Sequence, residues 1–209
     1  MSLGWRWVGH SDYRSILAWQ RARRHGVIAG TQREVLVLVE HPRVVTTGRR
    51  PPGDLSGVRA AGIEIVETER GGLATWHGPG QLVGYPIIDV GTRKIGVRSF
   101  VGMVERVLVD SLHSHGVEAH TRHGFPGAWV GEKKLASIGL HFARGVSMHG
   151  FAINLDPDLS DFGKFTACGL DGVEFTSMAD QGVAASMPIF AAQVATRFAQ
   201  AVDTMTGLH

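Results

Sequence analysis

A single cysteine, Cys168, stands in the run Phe165-Thr-Ala-Cys-Gly-Leu, and 34 residues earlier Lys134 opens the run Lys-Leu-Ala-Ser-Ile-Gly139. A thiol attacks carbonyl carbon as its thiolate, and at an ordinary pKa near 8.5 only about 3% of it is ionised at pH 7. A neighbouring ammonium favours the thiolate, and lysine supplies that charge on a flexible stem. Each residue also has a plainer reading: a lysine at a strand edge is commonly a solvated gatekeeper, and a cysteine is commonly an inert apolar filler. Two further segments can hold a ligand. Arg70-Gly71-Gly72-Leu73-Ala74-Thr75-Trp76-His77-Gly78-Pro79-Gly80-Gln81 is neither ordinary helix nor strand, and presents bare backbone amides. It matches no dinucleotide or P-loop pattern, because Pro79 removes a needed amide donor. His149-Gly150-Phe151-Ala152-Ile153-Asn154 places a histidine beside glycine, as a hydrogen-bonded structural group or a proton acceptor.

These segments need elements to position them. Ser11 or Asp12 caps a first helix with Tyr13, Ile16, Leu17 and Gln20 on one face, and Gly26 is its expected stop. Val35 to Val39 is a continuous apolar run, read as a buried strand. Ile63 to Val66 and Leu82 to Asp89 are further strands, with Pro86 expected near an edge or bulge. Phe100, Val104, Val107, Leu108, Ser111 and Leu112 predict a helix over Val97 to His115, ending at Gly116. Ala128–Val130, Leu135–Leu140 and Met148–Leu155 are short strands, and in the second Ala136 and Ile138 should face opposite to Leu135 and Ser137. Phe190, Val194, Phe198 and Val202 line a last helix that begins at Ser186. Strands and helices do not alternate regularly, which favours an α+β fold with a mixed, largely antiparallel sheet and flanking helices.

With 209 residues, the chain reads as a single catalytic domain over residues 1–209. Apolar residues make up 44% and charged residues 19%, which excludes a disordered chain. One cysteine forms no internal disulfide and suits a reducing compartment, and no apolar run approaches the ~18 residues of a membrane span. The N-terminal segment lacks the apolar stretch of a secretory signal, so the expected address is the cytoplasm. A net charge of +2 is a small surplus rather than a basic stripe, and a nucleic-acid binder usually shows more, with aromatic platforms beside its basic residues. Two arginine clusters, Arg21/Arg23/Arg24 and Arg43/Arg49/Arg50, are solvated surface or a docking patch for an acidic partner. Glycine, at 28 residues, is about twice its usual ~7% share and sits in short clusters, as tight loops require.

Taken together, Glu40-His-Pro, Thr47-Gly-Arg49, Arg70-Gly-Gly with His77-Gly-Pro-Gly-Gln81, Lys134 with Ile138-Gly139, His149-Gly150 with Asn154, and Cys168-Gly169 resemble the octanoyl-acyl carrier protein:protein octanoyltransferases of lipoate biosynthesis. The resemblance runs from about Val35 to Gly169, with Trp76 where tyrosine is common and Ala167 where proline is common. It implies the fold of the biotin/lipoate protein ligase catalytic domain. It implies Cys168 as nucleophile, Lys134 as the residue that activates it, and no cofactor or metal. It implies an acyl pocket along Arg70 to His77, Ser137 to Gly139 and Gly150 to Ala152, with His149, Asn154, Gly78 and Gln81 in support. Gly71, Gly72 and Gly150 would let the chain or its carbonyl lie against the backbone. Gly78, Gly139 or Gly169 would offer amides to the oxyanion. The implied donor is octanoyl-acyl carrier protein. The implied acceptors are lipoyl domains of 2-oxoacid dehydrogenase E2 subunits and the glycine cleavage H protein, served by a monomer that binds neither membrane nor nucleic acid.

Three other readings fit parts of the pattern. An ATP-dependent lipoate or biotin ligase would need no cysteine. A cysteine thioesterase would pair Cys168 with His77 or His149. A zinc module would use His113, His115, His120 and His123.

Overall fold

The computed structural model describes residues 3–165 and 173–206, so Cys168, Ala167 and Gly169 lie outside the described residues. Two sheets form. Strands β1 (Gly4–His10), β2 (Val35–Glu40), β6 (Gln81–Ile87), β7 (Gly127–Val130), β8 (Lys133–Ala143) and β9 (Val146–Asn154) make the larger, in the order β1-β2-β6-β9-β8-β7. Only β1 and β2 run parallel within it. The smaller sheet has β3 (Val44–Thr47) between β4 (Glu64–Glu67), which is parallel to it, and β5 (Thr75–His77), which is antiparallel. Helices α1 (Tyr13–Ile28), α2 (Ser56–Ala60), α3 (Val97–His113) and α4 (Met187–Thr206) complete the α+β arrangement.

The apolar run at β2 is explained by its two covers. Val35, Val37 and Val39 pack with Tyr13 and Leu17 of α1, whereas Leu36 and Leu38 join Phe100, Leu108 and Phe198 of α3 and α4. A strand covered on both faces has no polar side to show in its sequence. Each such side chain contributes about 1.5–3 kcal/mol on burial. A third cluster, with Val45, Val58, Trp76 and Phe162, lies under the small sheet.

Three local expectations change. Gly26 lies inside α1, which runs to Ile28. A Cβ at Gly26 would stand 2.6 Å from Gln32 Cγ, so the glycine admits the returning chain, and Gly30 at φ +71° turns it. The cap is Asp12, whose carboxylate accepts from the Ser15 amide at 2.8 Å. Pro86 sits in a central strand, not at an edge. The β6–β9 ladder is interrupted between Gly84–Phe151 and the Asp89–Val146 bridge, and Pro86, which has no amide to donate, falls in that gap. In β8, pairing shifts between Ala128–Ala136 and Trp129–Lys134, which leaves Leu135 as an extra residue. Leu135 and Ala136 therefore enter one core cluster, against the alternation expected, and both Lys134 and Ser137 turn to the opposite side.

Candidate active site

A cavity of about 550 Å³ lies along β8 and β9, roofed by the Arg70–Leu73 loop. The loop is held from within. Arg70 is 6% exposed, and its guanidinium donates to the Thr46 carbonyl at 2.6 Å, to Thr46 Oγ1 and to the Gly71 carbonyl at 3.0 Å. β7 pairs with β8 only as far as Ser137, and beyond it the open edge of β8 receives the loop, with the Gly71 amide donating to the Leu140 carbonyl at 3.1 Å. Gly72 has φ +85°, so a side chain there strains the backbone before it meets any ligand. A Cβ at Gly150 would stand 1.9 Å from the Gly84 carbonyl oxygen. That glycine is thus required by the sheet itself, whatever the cavity holds.

One end of the cavity is set by Lys134, which is 4% exposed with Nζ 5.1 Å from the Trp129 ring centroid. The solvated-gatekeeper reading of this lysine does not fit its burial. Its amide donates to the Glu174 carbonyl at 2.9 Å, its carbonyl accepts from the Thr176 amide at 3.1 Å, and Phe175 bridges it in parallel. The chain that follows Cys168 therefore returns to the backbone of Lys134. A directed relay starts there. The Thr176 carbonyl can only accept, so Asn154 presents Nδ2 to it at 3.0 Å. Asn154 Oδ1 then accepts from Gln81 Nε2 at 2.9 Å, and Gln81 Oε1 accepts from His77 Nδ1–H at 2.7 Å. This sequence of donors fixes the His77 tautomer and leaves Nε2 as the lone-pair nitrogen. Burial holds His77 neutral, pushed down to about 3. His41 is fixed in the same way, with Nδ1–H donating to the Ser11 carbonyl at 2.7 Å and Nε2 accepting from Tyr85 O–H at 2.8 Å. Burial lowers it to about 4.

The other end is built by His149, which lies opposite Leu140 in β8 and so about six residues, on the order of 20 Å of strand, from Lys134. His149 has φ +57° and its amide donates to Gln20 Oε1 at 3.0 Å. Its Nε2 stands 3.7 Å from the Glu69 carboxylate, which also holds Arg21 at 2.9 Å. Burial keeps His149 below the usual histidine range, and the nearby His149 and Arg21 keep Glu69 below the usual carboxylate range. Arg24 donates to His141 Nδ1 at 3.0 Å.

The structure brings most of the sequence candidates to the cavity and sets a few apart. Arg70, Gly71, Gly72, Leu73, Thr75, His77, Ser137, Ile138, Gly139, Gly150, Phe151 and Ala152 line the cavity with Lys134 and His149. Ala74 and Trp76 point the other way, into the core under the small sheet. Gln81 and Asn154 stand behind His77. Gly78 is a packing glycine: a Cβ would stand 2.1 Å from the Trp76 ring. The arginine clusters also divide. Arg43 pairs with Asp161 through two bonds of 2.7 Å, and Arg21 and Arg24 turn to Glu69, whereas Arg49 and Arg50 stand at the cavity mouth. Sequence reasoning missed Tyr13, Val83, Tyr85, Val97, Val101 and Phe125 as cavity residues. Val97 and Phe125 stand out only in the structure, as large apolar side chains left exposed. His113 and His115 are engaged elsewhere, with the Ala119 carbonyl and Gln193.

Comparison with known proteins supplies the family. The lipoyl protein ligase A/B catalytic domain model matches residues 12–200. An octanoyltransferase from Solibacter usitatus is 42% identical over 95% of this chain and 92% of its own. An octanoyltransferase from Azotobacter vinelandii is 41% identical over 93% of this chain and 87% of its own. Among solved structures, the bi-partite lipoate protein ligase of Thermoplasma acidophilum, described with its E2 lipoyl domain, superposes with a TM-score of 0.71 at 17% identity, covering 96% of this chain and 84% of that one. Lipoate-protein ligase A bound with ATP gives 0.69 at 17% identity, over 98% and 85%. At such identities the structures speak for the fold, and the sequence relatives for the branch within it. The chain belongs to the lipoyl protein ligase A/B catalytic domain family, among its octanoyltransferases.

Proposed function

We propose that this octanoyltransferase, an acyltransferase of protein lipoylation, carries the octanoyl group as a thioester on Cys168 between acyl carrier protein and a lysine of a lipoyl domain. The observation that carries the reading is the pairing of Lys134 with Phe175, seven residues past Cys168, which returns the cysteine's own segment to a buried lysine. Thiolate Cys168 attacks the donor carbonyl, the C–S bond to the carrier breaks, and the carrier leaves as a thiol with a proton from the Lys134 ammonium. The acceptor amine then attacks the acyl-cysteine, gives its proton to the now neutral Lys134, and displaces the Cys168 thiolate. The ammonium of Lys134 favours that thiolate, a shift of about two units being worth roughly 2.7 kcal/mol. His77 Nε2, aimed by Gln81 and Asn154, orients the incoming amine by accepting a hydrogen bond from it, while the proton itself goes to Lys134. His149 is too remote along β8 for that part. Six buried methylenes add about 5 kcal/mol to binding.

The donor's partner surface is the cavity mouth at Arg49 and Arg50. The acceptors are E2 lipoyl domains and the glycine cleavage H protein, and the enzyme acts as a monomeric, one-domain catalyst in the cytoplasm. Among the described residues no helix is long and apolar enough to cross a membrane. The test is incubation with octanoyl carrier protein and apo lipoyl domain without ATP. Octanoylated acceptor lysine, with an acyl adduct on Cys168, is the expected result. Transfer only with ATP points to a ligase, and free octanoate without acceptor modification points to a thioesterase. Turnover without a Cys168 adduct overturns the thioester route.

A further inference from the structure

Trp129 is fully buried, yet among the described residues it joins none of the three apolar clusters. Two cations lie against its ring instead. Lys134 Nζ stands 5.1 Å from the ring centroid. The Arg122 guanidinium, whose charge is met by Glu132 at 2.9 Å, stands 5.1 Å from the same ring. The indole is fixed on its own account. Nε1 donates to the Phe125 carbonyl at 3.1 Å, the Phe125 ring crosses the indole edge to face, and the Trp129 backbone exchanges two hydrogen bonds with His120.

The extra residue at Leu135 brings the lysine to this ring. Lys134 is the cross-strand partner of Trp129, and in unbroken alternation it would share the core face of Ala136. Gly127 clears the stem. A Cβ there would stand 3.0 Å from Lys134 Cε, and its φ of +143° is one that side chains rarely adopt.

A buried ammonium loses hydration, which favours the neutral amine. A carboxylate beside it restores the charge but cancels its field at a neighbouring thiolate. An indole face attracts the cation through the ring quadrupole and brings no countercharge. The carboxylates of this region have other engagements: Glu174 with Lys133 at 2.8 Å, Glu132 with Arg122, and Glu105 with the Gly127 amide at 3.2 Å.

Resting on the transfer reading above, we infer that Trp129 is a positioning residue of the reaction: its ring face holds Lys134 in place as an ammonium and so sustains the Cys168 thiolate. Lys134 gives up and regains one proton in each cycle, and the ring favours the charged form to which it returns.

The test times formation of the octanoyl-Cys168 adduct by mass spectrometry, in full-length enzyme whose residue 129 alone is replaced by tryptophan with successively more ring fluorines. Fluorine drains electron density from the ring face and leaves its shape nearly unchanged. Adduct formation should slow with each fluorine, by about ten-fold over the series, and the slope should vanish in Lys134→Met. Trp129→Phe, which keeps a ring face, should recover part of the rate lost in Trp129→Leu. A rate blind to fluorine overturns the inference, and so does an equal slope in Lys134→Met. Parent enzyme that forms no adduct with octanoyl carrier protein overturns the transfer reading, and this inference with it.

Discussion

The two ends of the cavity use histidine in opposite ways. His77 has its bonded nitrogen fixed through three successive hydrogen bonds, ending on a backbone carbonyl that cannot reverse. His149 sits on left-handed backbone, facing Glu69 beyond hydrogen-bond distance. A complete chain of partners aims a lone pair. An incomplete one, buried at 2% exposure, leaves both ring nitrogens without a hydrogen bond among the described residues. The difference teaches that hydrogen-bond accounting, more than residue type, separates the working end from the His149 end.

That contrast can be tested from the working end outward. The largest effect belongs to Cys168→Ala, which should cut transfer by about 10³-fold or more at every chain length, with no acyl adduct by mass spectrometry. Lys134→Met should cost about 10²-fold, and its rate should recover as pH rises through about 8.5, where a thiol ionises unaided. A pH–rate profile parallel to the parent's would remove Lys134 from thiolate formation. Gln81→Leu should lower kcat about 10-fold with KM little changed, because it releases His77 without touching the acyl stretch. A shift in chain-length preference in that variant would erase the distinction between the ends.

The smallest effect concerns stability near the start of the Cys168 segment. Asp161, 1% exposed, is drawn down to about 2 by the Arg43 guanidinium and then by Lys164. Its folded pKa is lower than its unfolded value, so its stabilisation is present above pH ~4 and fades as pH falls towards 2. Asp161→Asn should therefore cost about 1–2 kcal/mol at neutral pH. Urea denaturation at descending pH should show the gap between variant and parent closing.

Much of this arrangement is legible in the sequence. The run Val35–Val39, the period of α3 and the face of α4 announce elements whose neighbours agree with their local pattern. The glycine-rich loop after Arg70 and the strands at Ser137 and Gly150 point to the cavity that they line. What stayed hidden depends on contacts distant in sequence. β1 carries a half-exposed pattern and is a strand because β2 offers it an edge. The extra residue at Leu135 is a product of pairing with β7, and nothing in Lys-Leu-Ala-Ser foretells it. Ala74 and Trp76 are separated from Thr75 and His77 only once β5 is known to be a strand. The His149 end gathers residues 20, 69, 141 and 149, which no local motif connects.

One feature of the chain path bears on how such enzymes diversify. Glu174 to Thr176 is fastened to both sides of the Lys134 backbone, and Phe175 stacks on Phe162 at 3.9 Å. The described residues on either side of 166–172 are thus fastened to one another and to the Lys134 strand. Exchanging residues 162–176 between homologues would swap the proposed nucleophile while the lysine's strand stays as scaffold.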